Sequence, residues 1–95
     1  MLDKLANELK IRGFSVKTVK AYTSNNRDFL EFIGKDADLV VEEDVKAYLA
    51  HLMDGGLRPA SVSLAMGALR FLYDEMMGKG LFVKIKVPIS TNNNI

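Results

Sequence analysis

At 95 residues, 48% hydrophobic and 26% charged, the chain is sized and composed for one folded domain around a single core. Its net charge of +1 excludes a whole-molecule field that would draw in nucleic acid, so a polyanion site has to arise from local segregation of charge. The absence of cysteine removes disulfides and thiolate metal sites, and with neither a signal-peptide core nor an apolar run of ~20 residues the expected setting is the cytoplasm.

Leu2, Leu5, Ala6 and Leu9 recur at helical spacing and predict a first helix that stops near Gly13. Ser15 reads as the N-cap of a second helix, since its hydroxyl can accept from the free amides of the next turn. Val19, Tyr22, Phe29, Leu30 and Ile33 form that helix's apolar face, and Gly34 supplies the backbone freedom for its end. Residues 35–41 read as a connector. A third helix is expected from Glu42, where three consecutive acids favour the positive end of the helix dipole; Val45, Tyr48, Leu49 and Leu52 face the core, and Gly55-Gly56 closes it. Pro59 suits the first turn of a fourth helix, whose apolar face runs through Val62, Met66, Leu69, Leu72, Tyr73 and Met76 to Gly78. Val83, Ile85 and Val87 alternate with lysines as a half-buried strand would, and the end after Pro88 reads as irregular.

Catalytic chemistry is poorly supplied. His51 is the single histidine, so no Ser-His-Asp or His-rich metal site can assemble, and a surface or half-buried role is expected for it. Glu42, Glu43 and Asp44 point about 100° apart on a helix and cannot converge on one ion. The Gly55-Gly56 and Gly78-Lys79-Gly80 stretches lack P-loop spacing and follow no strand. Tyr22, Tyr48 and Tyr73 fall on apolar stripes, where core packing with the hydroxyl at the edge is the expectation.

Charge segregation carries more. Leu9 to Arg27 holds Lys10, Arg12, Lys17, Lys20 and Arg27 and no acid, while Asp28 to Asp44 holds seven acids. Lys17, Lys20, Ala21, Ser24 and Arg27 share one exposed row of the second helix, suited to a phosphate backbone. The fourth helix turns outward Ala60, Ser61, Ser63, Leu64 and Gly67, with Arg58 before them and Arg70 after. An outward leucine among small residues suits close packing on DNA, where Leu64 or Ala60 can touch a thymine methyl, and it suits contact with another protein equally.

Four motifs in order resemble the N-terminal core-binding domain of the tyrosine recombinase (phage integrase) family. They are Ser15-x-x-Thr18-x-x-x-Tyr22 with Phe29-x-x-Phe32-Ile33; Glu43-Asp44-Val45-x-x-Tyr48-Leu49; Gly56-Leu57-Arg58-Pro59-x-Ser61-Val62; and Ala68-Leu69-x-x-Leu72-Tyr73. The resemblance implies an all-α, compact four-helix SAM-like bundle over residues 1–80, with residues 81–95 an irregular tail or linker toward a catalytic domain. It implies a clamp on duplex DNA with the second and fourth helices in the major groove. Carried across, it nominates backbone contacts at Lys17, Thr18, Lys20 and Arg27, and base or groove contacts at Ala21, Ser24, Ala60, Ser61, Ser63 and Leu64; charge adds Arg58 and Arg70.

Three departures stand out. Asn26 occupies a position where the family often has leucine, so a buried amide has to find a partner. Leu64 and Ala65 replace frequent arginines. The family's catalytic set of Arg, Lys, His-x-x-Arg and a nucleophilic tyrosine has no counterpart, since His51-Leu52-Met53-Asp54 does not fit, so no strand cleavage is expected of the chain alone. The expected partners are double-stranded DNA and other recombinase protomers on it, with no cofactor, metal, membrane or small-molecule substrate. The alternative reading is a SAM-like module for protein–protein contact.

Overall fold

A computed structural model describes residues 2–82, and the strand suggested at Val83–Val87 lies outside them. Four α-helices follow in order: α1, Leu2–Ile11; α2, Val16–Ile33; α3, Glu42–Asp54; and α4, Pro59–Arg70. A 3-10 turn, Ala37–Leu39, interrupts the connector between α2 and α3, and a π-helical segment, Phe71–Met76, continues α4. The fold is the all-α bundle expected, with no strand among the described residues.

The helix ends sit where local chemistry puts them. Ser15 Oγ accepts from the Thr18 amide at 3.1 Å and caps α2. Gly34 ends the same helix at φ 64°, a left-handed conformation that glycine adopts without a Cβ clash. At the head of α3 the Asp44 carboxylate accepts from the Val41 amide at 3.0 Å and pairs with Lys35 at 2.9 Å. Those two donors, the amide first, hold the Asp44 carboxyl below its ordinary range. Pro59 opens α4 as expected.

The core gathers Leu5 and Leu9 of α1, Val19 and Phe29 of α2, Val45, Tyr48 and Leu49 of α3, and Val62 and Leu69 of α4, with Leu72 and Tyr73 beyond it. Ala37 and Val40 of the connector are also buried, so the segment is pinned to the core. Phe29 meets Tyr48 and Tyr73 edge-on at 5.3 and 5.9 Å. A second aromatic group, Phe14, Tyr22 and Phe71, closes the α1–α2 loop onto the end of α4.

Two features differ from sequence expectation. The α4 pattern does not stay α-helical to Gly78. Phe71, Leu72 and Tyr73 are three consecutive buried residues, and an α-helix would spread them over about 200° of its circumference. The wider π winding, marked by the Met77 amide donating to the Leu72 carbonyl five residues back, turns all three inward. Tyr73 is the second departure: its hydroxyl is buried without a hydrogen-bond partner rather than placed at the core's edge. Burial, then the nearby Asp44 charge, pushes its pKa up to about 12.

The end of the described chain is tied to the bundle. The Asp74 carboxylate accepts from the amides of Leu81 at 2.8 Å and Phe82 at 3.1 Å. Lys79 Nζ donates to the Asp38 carbonyl at 2.6 Å, and Gly78 and Gly80 make the turn with φ of 66° each. Leu81 and Phe82 rest half-buried against the core.

Candidate nucleic-acid interface

The site begins with the crossing of α2 and α4, the most extensively packed helix pair. Asn26 is fully buried there, and its Nδ2 donates to the Tyr22 carbonyl of its own helix at 2.9 Å and to Ala68 O of α4 at 3.0 Å. The partner demanded by a buried amide is therefore supplied on the donor side, while Oδ1 has none. One turn earlier Tyr22 lies over Gly67, where a Cβ would come within 3.3 Å of its hydroxyl. Absence of a side chain at 67 lets α4 approach α2 closely.

Each of the two helices also carries an exposed row. On α2, Lys17, Lys20 and Arg27 are exposed and Thr18, Ala21 and Ser24 half-buried. Thr18 Oγ1 accepts from Ser15 Oγ at 3.0 Å, which leaves its own proton free to donate outward. Among the described residues no acid lies within ion-pair distance of Lys17, Lys20 or Arg27. On α4, Ala60, Ser61, Ser63 and Leu64 are exposed, Leu64 to 44%. Arg58 stands at the N-cap, exposed, with no capping side chain.

The twelve nominated residues do not make one patch. Lys20, Ser24 and Arg27 lean toward α1, where they line a groove of about 570 Å³ together with Lys10, Ala6, Phe14, Val16, Val19 and Thr23. Arg70 lies twelve residues from Arg58, about 18 Å along the helix. It lines a different recess with Arg12, Asp74 and Glu75, beside acids rather than among cations. Arg12 is itself neutralised. It pairs with Glu8 at 2.8 Å, just outside the acid-free stretch, and with Glu75 at 3.5 Å, and it lies over the Phe71 ring.

Lys10 is the addition that the structure makes. Taken helix by helix, periodicity assigns it to the solvent side of α1; only the packing of α1 on α2 reveals it as the third cation beside Lys20 and Arg27. The basic row also has an end. Asp28 and Glu31 continue the same exposed face of α2 and reverse its sign, so an anion can lie along the helix no farther than Arg27. His51 is exposed and stacks on Phe32 with ring centroids 4.7 Å apart, a surface role as expected. Among the described residues no cluster of His, Asp or Glu is arranged to hold a metal, and no helix is long and apolar enough to cross a membrane.

Comparison with known proteins gives one family and several relatives. Residues 1–81 match a family model described as the phage integrase N-terminal SAM-like domain. A Sinorhizobium fredii protein designated an integrase/recombinase is 31% identical over 72 residues, covering 75% of this chain and 23% of that protein. The tyrosine recombinase XerC of Chlorobaculum tepidum is 29% identical over 79 residues, 73% of this chain and 24% of the relative. The tyrosine recombinase XerA of Saccharolobus solfataricus is 35% identical over 54 residues, 57% and 19% respectively. The chain thus spans about a quarter of the length of these relatives or less.

Proposed function

The chain belongs to the phage integrase family as its N-terminal SAM-like domain, and from that premise we propose that it is a duplex-DNA-binding module of a site-specific tyrosine recombinase. Residues 1–80 form the core-binding unit, residues 81–95 lead toward a catalytic domain, and cutting and rejoining of strands reside in that other domain. The observation that carries the reading is the row Lys17, Lys20 and Arg27, exposed and without acid partners among the described residues.

Roles divide by chemistry. Lys17, Thr18, Lys20, Arg27 and Arg58 supply charge or hydroxyl protons to phosphates, which position without reading sequence. Ala21, Ser24, Ala60, Ser61, Ser63 and Leu64 form the low-profile surface that enters the major groove. None of these six can make the bidentate contacts that distinguish bases strongly, so sequence discrimination by this domain is modest. Arg70, beside Asp74 and Glu75, sits at the margin and contributes least.

Fluorescence anisotropy of a labelled duplex, titrated with the domain at a series of salt concentrations, tests the reading. With roughly four or five phosphate contacts, log K falls against log salt with a slope near −4, at about −0.9 per contact. Replacing Lys17 and Lys20 together by alanine reduces that slope by about 2, and glutamates in their place weaken binding further. No binding at low salt, or binding indifferent to the glutamates, sinks the proposal.

A further inference from the structure

The groove between α1 and α2 and the connector ahead of α3 are alike in apolar character and opposite in sign. The groove has an apolar floor of Ala6, Phe14, Val16 and Val19 and a rim of Lys10, Lys20 and Arg27. Val16 is left 72% exposed, although it belongs to a helix that buries its neighbours. None of the three rim cations has an acid within 4.0 Å among the described residues.

The connector offers the counterpart. Leu39 is 63% exposed and Val41 49%, which makes them two of the more exposed large apolar side chains in the fold. They project between Asp36, Asp38 and Glu43, all exposed, and neither Asp36 nor Asp38 has an ion-pair partner among the described residues. The connector cannot swing into the groove of its own molecule. Ala37 and Val40 are buried, Asp44 is held by Lys35, and the Asp38 carbonyl is held by Lys79. A rigid acidic and apolar knob, set apart from a basic and apolar groove, fits another molecule of the same chain.

We propose that, away from DNA, the α1–α2 groove of one copy receives the Asp36–Val41 connector of a second copy, with Leu39 on the apolar floor and the flanking carboxylates against Lys10, Lys20 and Arg27. The contact is head-to-tail, so each copy keeps one free groove and one free connector. One groove receiving a six-residue connector is a small contact, so the association is weak and reversible. Because Lys20 and Arg27 also belong to the proposed DNA face, the contact and the duplex exclude each other; this clause, unlike the contact itself, rests on the DNA reading. The domain then masks two of its five phosphate-contacting residues, Lys20 and Arg27, when concentrated and unbound.

Sedimentation velocity at low salt, over a range of concentrations, decides the matter. The wild-type domain is expected to show a weight-average sedimentation coefficient that rises with concentration and falls with added salt. Lys10→Glu and Asp36→Lys, both at exposed positions, are each expected to weaken association about tenfold or more. An equimolar mixture of the two variants is expected to regain it, since it restores one native and one charge-reversed contact; this recovery also shows that both variants fold. A wild type that stays monomeric at its highest soluble concentration overturns the proposal. So does association indifferent to both reversals, or a mixture that fails to recover. Leu39, 63% exposed on the connector, is outside the candidate DNA interface, so Leu39→Ser leaves anisotropy with a duplex within about twofold while weakening self-association, and this separates the two readings. Added duplex is expected to dissolve the wild-type association; association that persists on saturated duplex overturns the mutual exclusion.

Discussion

Replacing Asn26 by aspartate exchanges a donor for an oxygen at the point where α2 meets α4. The wild-type Nδ2 serves two carbonyls, Tyr22 O at 2.9 Å and Ala68 O at 3.0 Å, in a site with no solvent exposure. A protonated aspartic acid still donates one hydrogen, so at low pH the loss is a single hydrogen bond, about 1 kcal/mol. An ionised carboxylate donates none and faces both carbonyls, so the folded state holds the acid protonated. A shift of about 3 units above the ordinary value is typical of such burial, and each unit is worth 1.36 kcal/mol.

The sign follows from proton linkage. The folded pKa lies above the unfolded one, so over the interval between them the unfolded chain binds fewer protons and stability falls as pH rises. Relative to wild type, the Asn26→Asp domain is expected to lose about 1.5 kcal/mol near pH 4 and about 5 kcal/mol near pH 8, a large share of the 5–15 kcal/mol of a typical domain. Urea unfolding followed by circular dichroism at the two pH values measures both losses. Asn26→Leu, which removes the donor together with the unpartnered Oδ1, is expected to stay within about 1 kcal/mol of wild type at either pH. A loss for Asn26→Asp that is the same at both pH values, or below about 1 kcal/mol near pH 8, would refute the account of Asn26 as a donor-only tie between helices.

Two further outcomes follow from the backbone and the core. Tyr73, with its phenol raised to about 12, keeps its proton between pH 10 and 12 while the unfolded chain releases it, so wild-type stability declines as pH rises above 10. Tyr73→Phe removes the unpartnered hydroxyl, is expected to cost no more than about 0.5 kcal/mol at neutral pH, and flattens the alkaline decline seen in urea unfolding. Gly34→Ala places a Cβ on a residue at φ 64° with nothing within 4 Å, so its cost is purely conformational, about 1 kcal/mol or some 4–8 °C in Tm by calorimetry. Gly55→Ala, at φ −77°, carries no such penalty and serves as the comparison.

Local signals accounted for most of the helix boundaries: Ser15 caps α2, Gly34 ends it, the acids open α3 and Pro59 starts α4. Each depends on one or two turns of chain, the range over which a sequence speaks directly. Features that depend on distant segments were not legible. The π winding at Phe71–Met76 answers the demand to bury three neighbours at once, a demand set by distant residues such as Phe14, Tyr22 and Phe29 rather than by the segment. Arg12 counts as a free cation in its own acid-free window, yet Glu75, far along the chain, folds back to within 3.5 Å of it. The exposed row of α2 was readable from its period, whereas its lean toward Lys10 was not, because periodicity within one helix says nothing of the neighbour's rotation about its axis.

The Asp74 clasp on Leu81 and Phe82 has a mechanical meaning. A linker that frays directly from the last helical turn lets whatever it tethers sample a broad cone. Here the backbone makes two glycine turns and is then anchored, by one carboxylate, to the body of the bundle. The chain as far as Phe82 is thereby held to the bundle, and the five residues after Met77 belong to the folded body. Anything carried farther along the chain inherits a fixed departure point and heading, which narrows its search volume and raises its local concentration on one side of the domain.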